Sequence, residues 1–233
     1  MSTPSESPAF NRSAAITRSL LGWGVVAGPF YVVLGLSLAL TRPGFRLPDH
    51  ALSLLMLGEW GWLQRVNLIL SALMVLAAAI GFLRAIRNGR GLAIAVLTMI
   101  YAASLILSAI FPPDPVNGFP VDLPAGTVST SGILHMLFGA IGFVAIASAS
   151  FAYADWARSV GSRPRATAGI VLGVVVIVGF FAGAALSLTA VGTALLWIAV
   201  LAGWTWLAIA SAHVYAWTPH PFITQKQVEE SLA

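Results

Sequence analysis

The sequence predicts an all-α polytopic membrane bundle of six transmembrane helices, N-in and C-in, with a short interfacial helix before helix two. Composition is the first reason. Hydrophobic residues make up 58% of the 233-residue chain and charged residues only 9%, and the mean hydropathy is +0.90, far from the balance of a water-soluble domain. The second reason is segmentation. The apolar residues fall into six runs, at roughly 20–41, 65–86, 91–111, 132–154, 168–190 and 193–217. Each reaches the ~20 residues a helix needs to cross the hydrocarbon core. The runs are continuous and Leu/Ala-rich, without the period-two alternation of a membrane barrel.

Taken in order, residues 1–17 read as a disordered cytoplasmic tail, 18–217 as the transmembrane domain and 218–233 as a second cytoplasmic tail. Ser37-Leu38-Ala39 imitates a cleavage site after span one, but the apolar run is too long and its preceding tail too weakly basic for a signal peptide. The span is expected to be retained, close-packed at Gly24 and Gly28, and kinked at Pro29. Before span two, Pro48-Asp49-His50-Ala51-Leu52-Ser53 leads toward Gly58. This reads as the interfacial helix, with Asp49 as its N-cap and Gly58 as its stop.

The turn Arg87-Asn88-Gly89-Arg90-Gly91 is short enough to make spans two and three antiparallel neighbours, and Ser187 to Thr193 does the same for five and six. Span five carries Gly169/Gly173 and Gly179/Gly183, spacings that let backbones approach. Span six ends at Thr218-Pro219-His220-Pro221. Trp23, Trp156 and Trp217 at one membrane surface, with Trp60 and Trp62 at the other, read as aromatic belts, and His213 as interfacial.

Orientation follows from the basic residues. Arg12, Arg18, Arg84, Arg87, Arg90, Arg158, Arg163, Arg165 and Lys226 fall on one side, and only Arg42, Arg46 and Arg65 on the other. Both termini are therefore expected in the cytoplasm of a multi-pass cell-membrane protein. The large loops, roughly 42–64 and 112–131, are then extracytoplasmic, with Asp49, Glu59, Asp114 and Asp122. Because the basic residues are scattered rather than clustered on one solvated face, the net charge of +4 does not predict nucleic-acid binding. With no cysteine, thiolate metal sites and thiol nucleophiles are excluded.

Polar residues gather at the outer ends of spans two, three and four. Asp49 and Ser53, four apart, share a helix face. Trp62, Gln64 and Asn67 enter span two, where the amides either bridge helices or line a cavity. Tyr101, Ser104 and Ser108 run along span three toward Phe111-Pro112-Pro113-Asp114-Pro115, which holds Asp114 on a stiff turn. His135 lies one turn into span four, aligned with Gly132, Gly139 and Gly142. An ionisable group in a span turns toward protein or a wet cavity, so it serves either a structural hydrogen bond or a ligand.

The order Asp49-His50-x-x-Ser53, Gly61-Trp62-x-Gln64-x-x-Asn67, Phe111-Pro112-x-Asp114-Pro115 and Gly132-x-x-His135 resembles the six-span prokaryotic family catalogued as domain of unknown function 998. The resemblance covers about residues 20–217 and implies six helices with a polar site on the outer side, but no activity.

Three functions remain open from the residues. The first is binding or movement of a lipid headgroup or small polar ligand by Asp49, Ser53, Trp62, Gln64, Asn67, Asp114 and His135. The second is a membrane hydrolase of a lipid-like ester or amide, with zinc as cofactor on His50, Asp114 and His135, or with Ser53 as nucleophile and a histidine as its base. Neither an HExxH pair nor a GxSxG elbow is present. The third is an accessory subunit whose small-residue faces dock a membrane-protein partner.

Overall fold

A computed structural model describes residues 9–121 and 127–223; Asp122 and Lys226, used in the orientation argument, lie outside them. Six helices are long and apolar enough to cross a membrane. They are α1 (Arg12–Thr41), α2 (Gly61–Ala85), α3 (Gly89–Ile110), α4 (Thr130–Ser159), α5 (Arg163–Ala185) and α6 (Ala190–Trp217). Their outward faces carry large apolar side chains such as Val33, Leu73, Val178 and Phe181, each at least half exposed to the surroundings. A soluble domain does not present so much apolar surface; lipid accounts for it.

Every helix begins before its apolar run, and in four of the six a polar cap, which hydropathy does not register, sets the start. Asn11, Asn88, Ser129 and Thr189 each accept a hydrogen bond from the amide three residues on, at 3.0–3.1 Å, satisfying an orphan donor of the first turn. Helix α1 thus starts at Arg12, where a tail to residue 17 was expected. Helix α5 stops at Ala185, five residues before its apolar run ends, because Thr189 caps the next helix.

Each helix packs on its neighbours in chain order, and α6 returns to α1, so the six close into a ring. The glycine pairs make the close approaches. Gly24 lies against Ser211 and Gly28 against Trp204 across α1–α6, whereas Gly169 and Gly173 face α4 and Gly179 and Gly183 face α6. Pro29 lies within α1, which continues past it as one helix. Because the number of spans is even, both chain ends lie at one end of the ring, hereafter the terminal end. The loop 42–60 and the described residues 111–121 and 127–129 lie at the other, the loop end.

At the terminal end β1 (Ala9–Phe10) and β2 (Phe222–Ile223) form an antiparallel pair, which the sequence reading did not anticipate. The Arg18 guanidinium donates to the Thr218 carbonyl at 2.9 Å and lies over the Tyr215 ring. Two expectations are corrected here. Trp156 is 1% exposed and belongs to the core rather than to an aromatic belt. His213 is buried, with its Nδ1 2.8 Å from the Tyr153 hydroxyl, so it is an interior group and not an interfacial one. Trp23, Trp60, Trp62 and Trp217 are about half exposed.

Candidate functional site

Helix α3 ends where prolines remove its donors. The Phe111 amide still reaches the Leu107 carbonyl at 3.0 Å, but residue 112 is proline and offers no N–H to the Ser108 carbonyl. His135 supplies it. Its Nδ1 lies 3.2 Å from the Ser108 carbonyl and 2.9 Å from the Phe111 carbonyl. Since carbonyls only accept, Nδ1 carries the proton, and Nε2 keeps a free lone pair. His135 is 8% exposed, and it lines a cavity of about 140 Å³ between the helices.

That cavity draws on every helix. Tyr31, Tyr101 and Trp204 form an aromatic wall, with the Tyr31–Trp204 ring centroids 5.2 Å apart and Tyr101–Trp204 5.8 Å. Phe143 stacks on Phe180 at 4.4 Å across another wall. Polar groups are few: besides His135, the lining holds Ser53, Ser104, Ser108, the tyrosines and the indoles of Trp197 and Trp204, and Trp197 Nε1 is buried with no hydrogen-bond partner among the described residues. Ser104 seats against Gly142, where any side chain would collide with it, and donates to the Tyr101 carbonyl at 2.7 Å. Among the described residues no Asp, Glu, Lys or Arg belongs to the lining.

The other candidates serve elsewhere. Asn67 and Gln64 are fully buried but do not line the cavity. Asn67 donates to the Tyr31 carbonyl at 3.0 Å and to Gln64 Oε1 at 3.1 Å, so it bridges α2 to α1. The Asp114 carboxylate accepts from the Ser129 amide at 3.0 Å and from the Ser129 hydroxyl. It rests on the first turn of α4 at Gly132, where a Cβ would collide with it. A carboxylate at a helix N-terminus complements the macrodipole, and the Ser131 hydroxyl ties the same loop down by donating to the Pro112 carbonyl at 2.8 Å. Trp62 is exposed.

Asp49 is not a helix cap. It pairs with Arg46 at 2.8 Å, and the helical segment that follows is a 3-10 turn, Leu52–Met56, whose N-cap is Ala51 with no side-chain bond. Gly58 does follow the turn in the left-handed region, at φ +74°. Of the Asp49–Ser53 pair, only Ser53 reaches the cavity.

His50 is 1% exposed and has both ring nitrogens bonded to backbone: Nδ1 accepts from the Arg46 amide at 2.8 Å, and Nε2 donates to the Asn117 carbonyl at 3.1 Å. Asn117 in turn donates to the Asp49 carbonyl at 3.0 Å. Phe45 and Phe119 pack against the His50 ring at 5.2 and 5.4 Å. This arrangement fastens the two loops to each other. Arg42 joins it by donating to the Leu57 carbonyl at 2.6 Å, its guanidinium held below its ordinary pKa by partial burial, with Glu59 opposing the shift. Among the described residues His50, Asp114 and His135 do not form a group able to hold a metal ion.

Sequence reasoning passed over Asn117, although Asn117-Gly118 at φ 55° and 77° is the pair a type I′ turn requires. It also passed over Tyr31, Trp204, Phe143 and Phe180, because an aromatic in an apolar run carries no mark of which face it occupies.

A ring of six apolar helices enclosing a small, nearly uncharged cavity defines an integral, multi-pass α-helical membrane protein. The chain belongs to the family described as protein of unknown function (DUF998), whose model matches residues 25–213. No curated protein and no solved structure matches it.

Proposed function

We propose that the protein sits in the cell membrane with both termini in the cytoplasm and binds a small, mainly apolar ligand, free or lipid-borne, in the cavity beside His135. The orientation rests on the basic residues, eight of which, from Arg12 to Arg165, belong to the terminal end of the described ring. The loop end, and the cavity half nearest it, then face outward. The observation that carries the binding reading is the His135 side chain, whose Nδ1 is fixed by two carbonyls while Nε2 is left as an acceptor in an aromatic-walled cavity. Small-molecule sites have this form, apolar walls with a few placed polar groups.

Catalysis has less support. His50 has neither nitrogen free to activate Ser53 or bind a metal, and the Asp114 carboxylate is engaged by Ser129. Native mass spectrometry of protein released from membranes tests the binding reading. A Cβ at Gly139, which lines the cavity, would meet nothing within 4 Å, so Gly139→Leu fills that space without a backbone clash. A co-purifying small molecule present on wild type and lost from Gly139→Leu supports the reading; equal occupancy in both refutes it.

A further inference from the structure

The walls and the fixed acceptor at His135 narrow the ligand further, granted that the cavity is a binding site. Aromatic walls accept two kinds of guest, apolar rings or chains and quaternary ammonium cations. A cation taken into a membrane-embedded cavity needs a counter-charge. Among the described residues none of Asp, Glu, Lys or Arg lines this one. An anion fares no better: among the described residues no cationic side chain lines the cavity, the histidine N–H is already committed to the Ser108 and Phe111 carbonyls, and the donors that remain are neutral hydroxyls and indoles. The remaining nitrogen wants a donor. Size also bears on the choice: apolar cavities of about 150 Å³ hold a benzene ring, and this one measures about 140 Å³.

We propose that the cavity takes a neutral, hydroxyl-bearing ring or short chain whose O–H donates to His135 Nε2 while its apolar body lies against Tyr31, Tyr101 and Trp204. A charged phospholipid headgroup does not fit this description. A hydroxyl at the end of a lipid and a free small alcohol share the chemistry. The two sources separate by whether the bound species extracts with the lipids or is removed by dialysis.

The test uses phenol and toluene, which differ only by O–H against CH₃, together with tetramethylammonium, on full-length protein in lipid nanodiscs. Affinities come from NMR titration, with Gly139→Leu nanodiscs giving the background of partition into lipid. Phenol is expected to bind roughly tenfold tighter than toluene, the discrimination one buried hydrogen bond supports, and tetramethylammonium not to bind. In His135→Asn the amide nitrogen takes the place of Nδ1 and keeps the α3 cap, while the Nε2 acceptor is lost. Phenol should then fall to the level of toluene with toluene itself unchanged.

Equal affinities for phenol and toluene in wild type, or a phenol preference that survives in folded His135→Asn, overturn the proposal while leaving an apolar binding cavity. Tighter binding of tetramethylammonium than of phenol overturns it in favour of a cation cage. If no probe exceeds the Gly139→Leu background, the binding reading falls together with the proposal. The wild-type ratio decides the question even where the variant does not fold.

Discussion

His135 completes helix α3 from the neighbouring α4, its Nδ1 2.9 Å from the Phe111 carbonyl and 3.2 Å from that of Ser108. The bond replaces the amide that Pro112 lacks. Replacing His135 with Ala should leave both carbonyls short of a donor and cost about 1–3 kcal/mol, read as a lowered thermal midpoint in detergent. Pro112→Ala restores an amide beneath Ser108, so the His135→Ala penalty should shrink in that background by roughly 0.5 kcal/mol or more. Strictly additive losses would mean that the two residues do not serve the same carbonyl.

Asp114 and Gly132 should differ in how they fail. Asp114→Asn keeps the shape and removes the charge at the start of α4, for about 0.3–1 kcal/mol. Gly132→Ala drives a methyl group into that carboxylate, an overpacking of about 1–3 kcal/mol. The ranking of the two thermal midpoints checks this, and an Asp114→Asn loss exceeding that of Gly132→Ala would contradict it.

The His50–Asn117 contact makes one body of the two loops. His50→Leu strands the Arg46 amide and the Asn117 carbonyl, so limited proteolysis within residues 42–60 should accelerate severalfold. Asn117→Gly keeps the positive φ but loses the bond to the Asp49 carbonyl, worth about 0.5–1.5 kcal/mol. Asn117→Val should be worse than either, since a β-branched residue resists that conformation. Unaltered cleavage in His50→Leu would separate the loops again.

A chain without cysteine is ready for topology mapping. A single cysteine at Val116 should react with a membrane-impermeant maleimide added outside intact cells. Reaction only after the cells are opened would reverse the orientation and put the cavity on the cytoplasmic half.

Six spans and their antiparallel neighbours were legible because length, hydropathy and short turns act locally along the chain. The face Tyr101, Ser104 and Ser108 was legible for the same reason, being three residues at helical spacing, and all three line the cavity. The roles of Asp49, Asn67 and Asp114 were not. Each is a polar residue beside a span, and whether it meets a ligand or another stretch of backbone depends on residues 15 to 68 positions away. Local spacing holds no record of such pairings. His135 was legible as a residue with a task; that it holds a helix end with one nitrogen and lines a cavity with the rest of its ring required the fold.

The return of α6 to α1 makes the order of this ring cyclic. The hydrogen bond between Arg18 and Thr218 spans 200 positions of sequence, and the Asn11 amide donates to the Pro221 carbonyl at 2.7 Å. In the closed ring the Gly24 and Gly28 face of α1 is filled by Ser211 and Trp204 of α6. The pair that closes the circle is thus built as α4–α5 and α5–α6 are, with glycines of one helix seated against the side chains or backbone of the next.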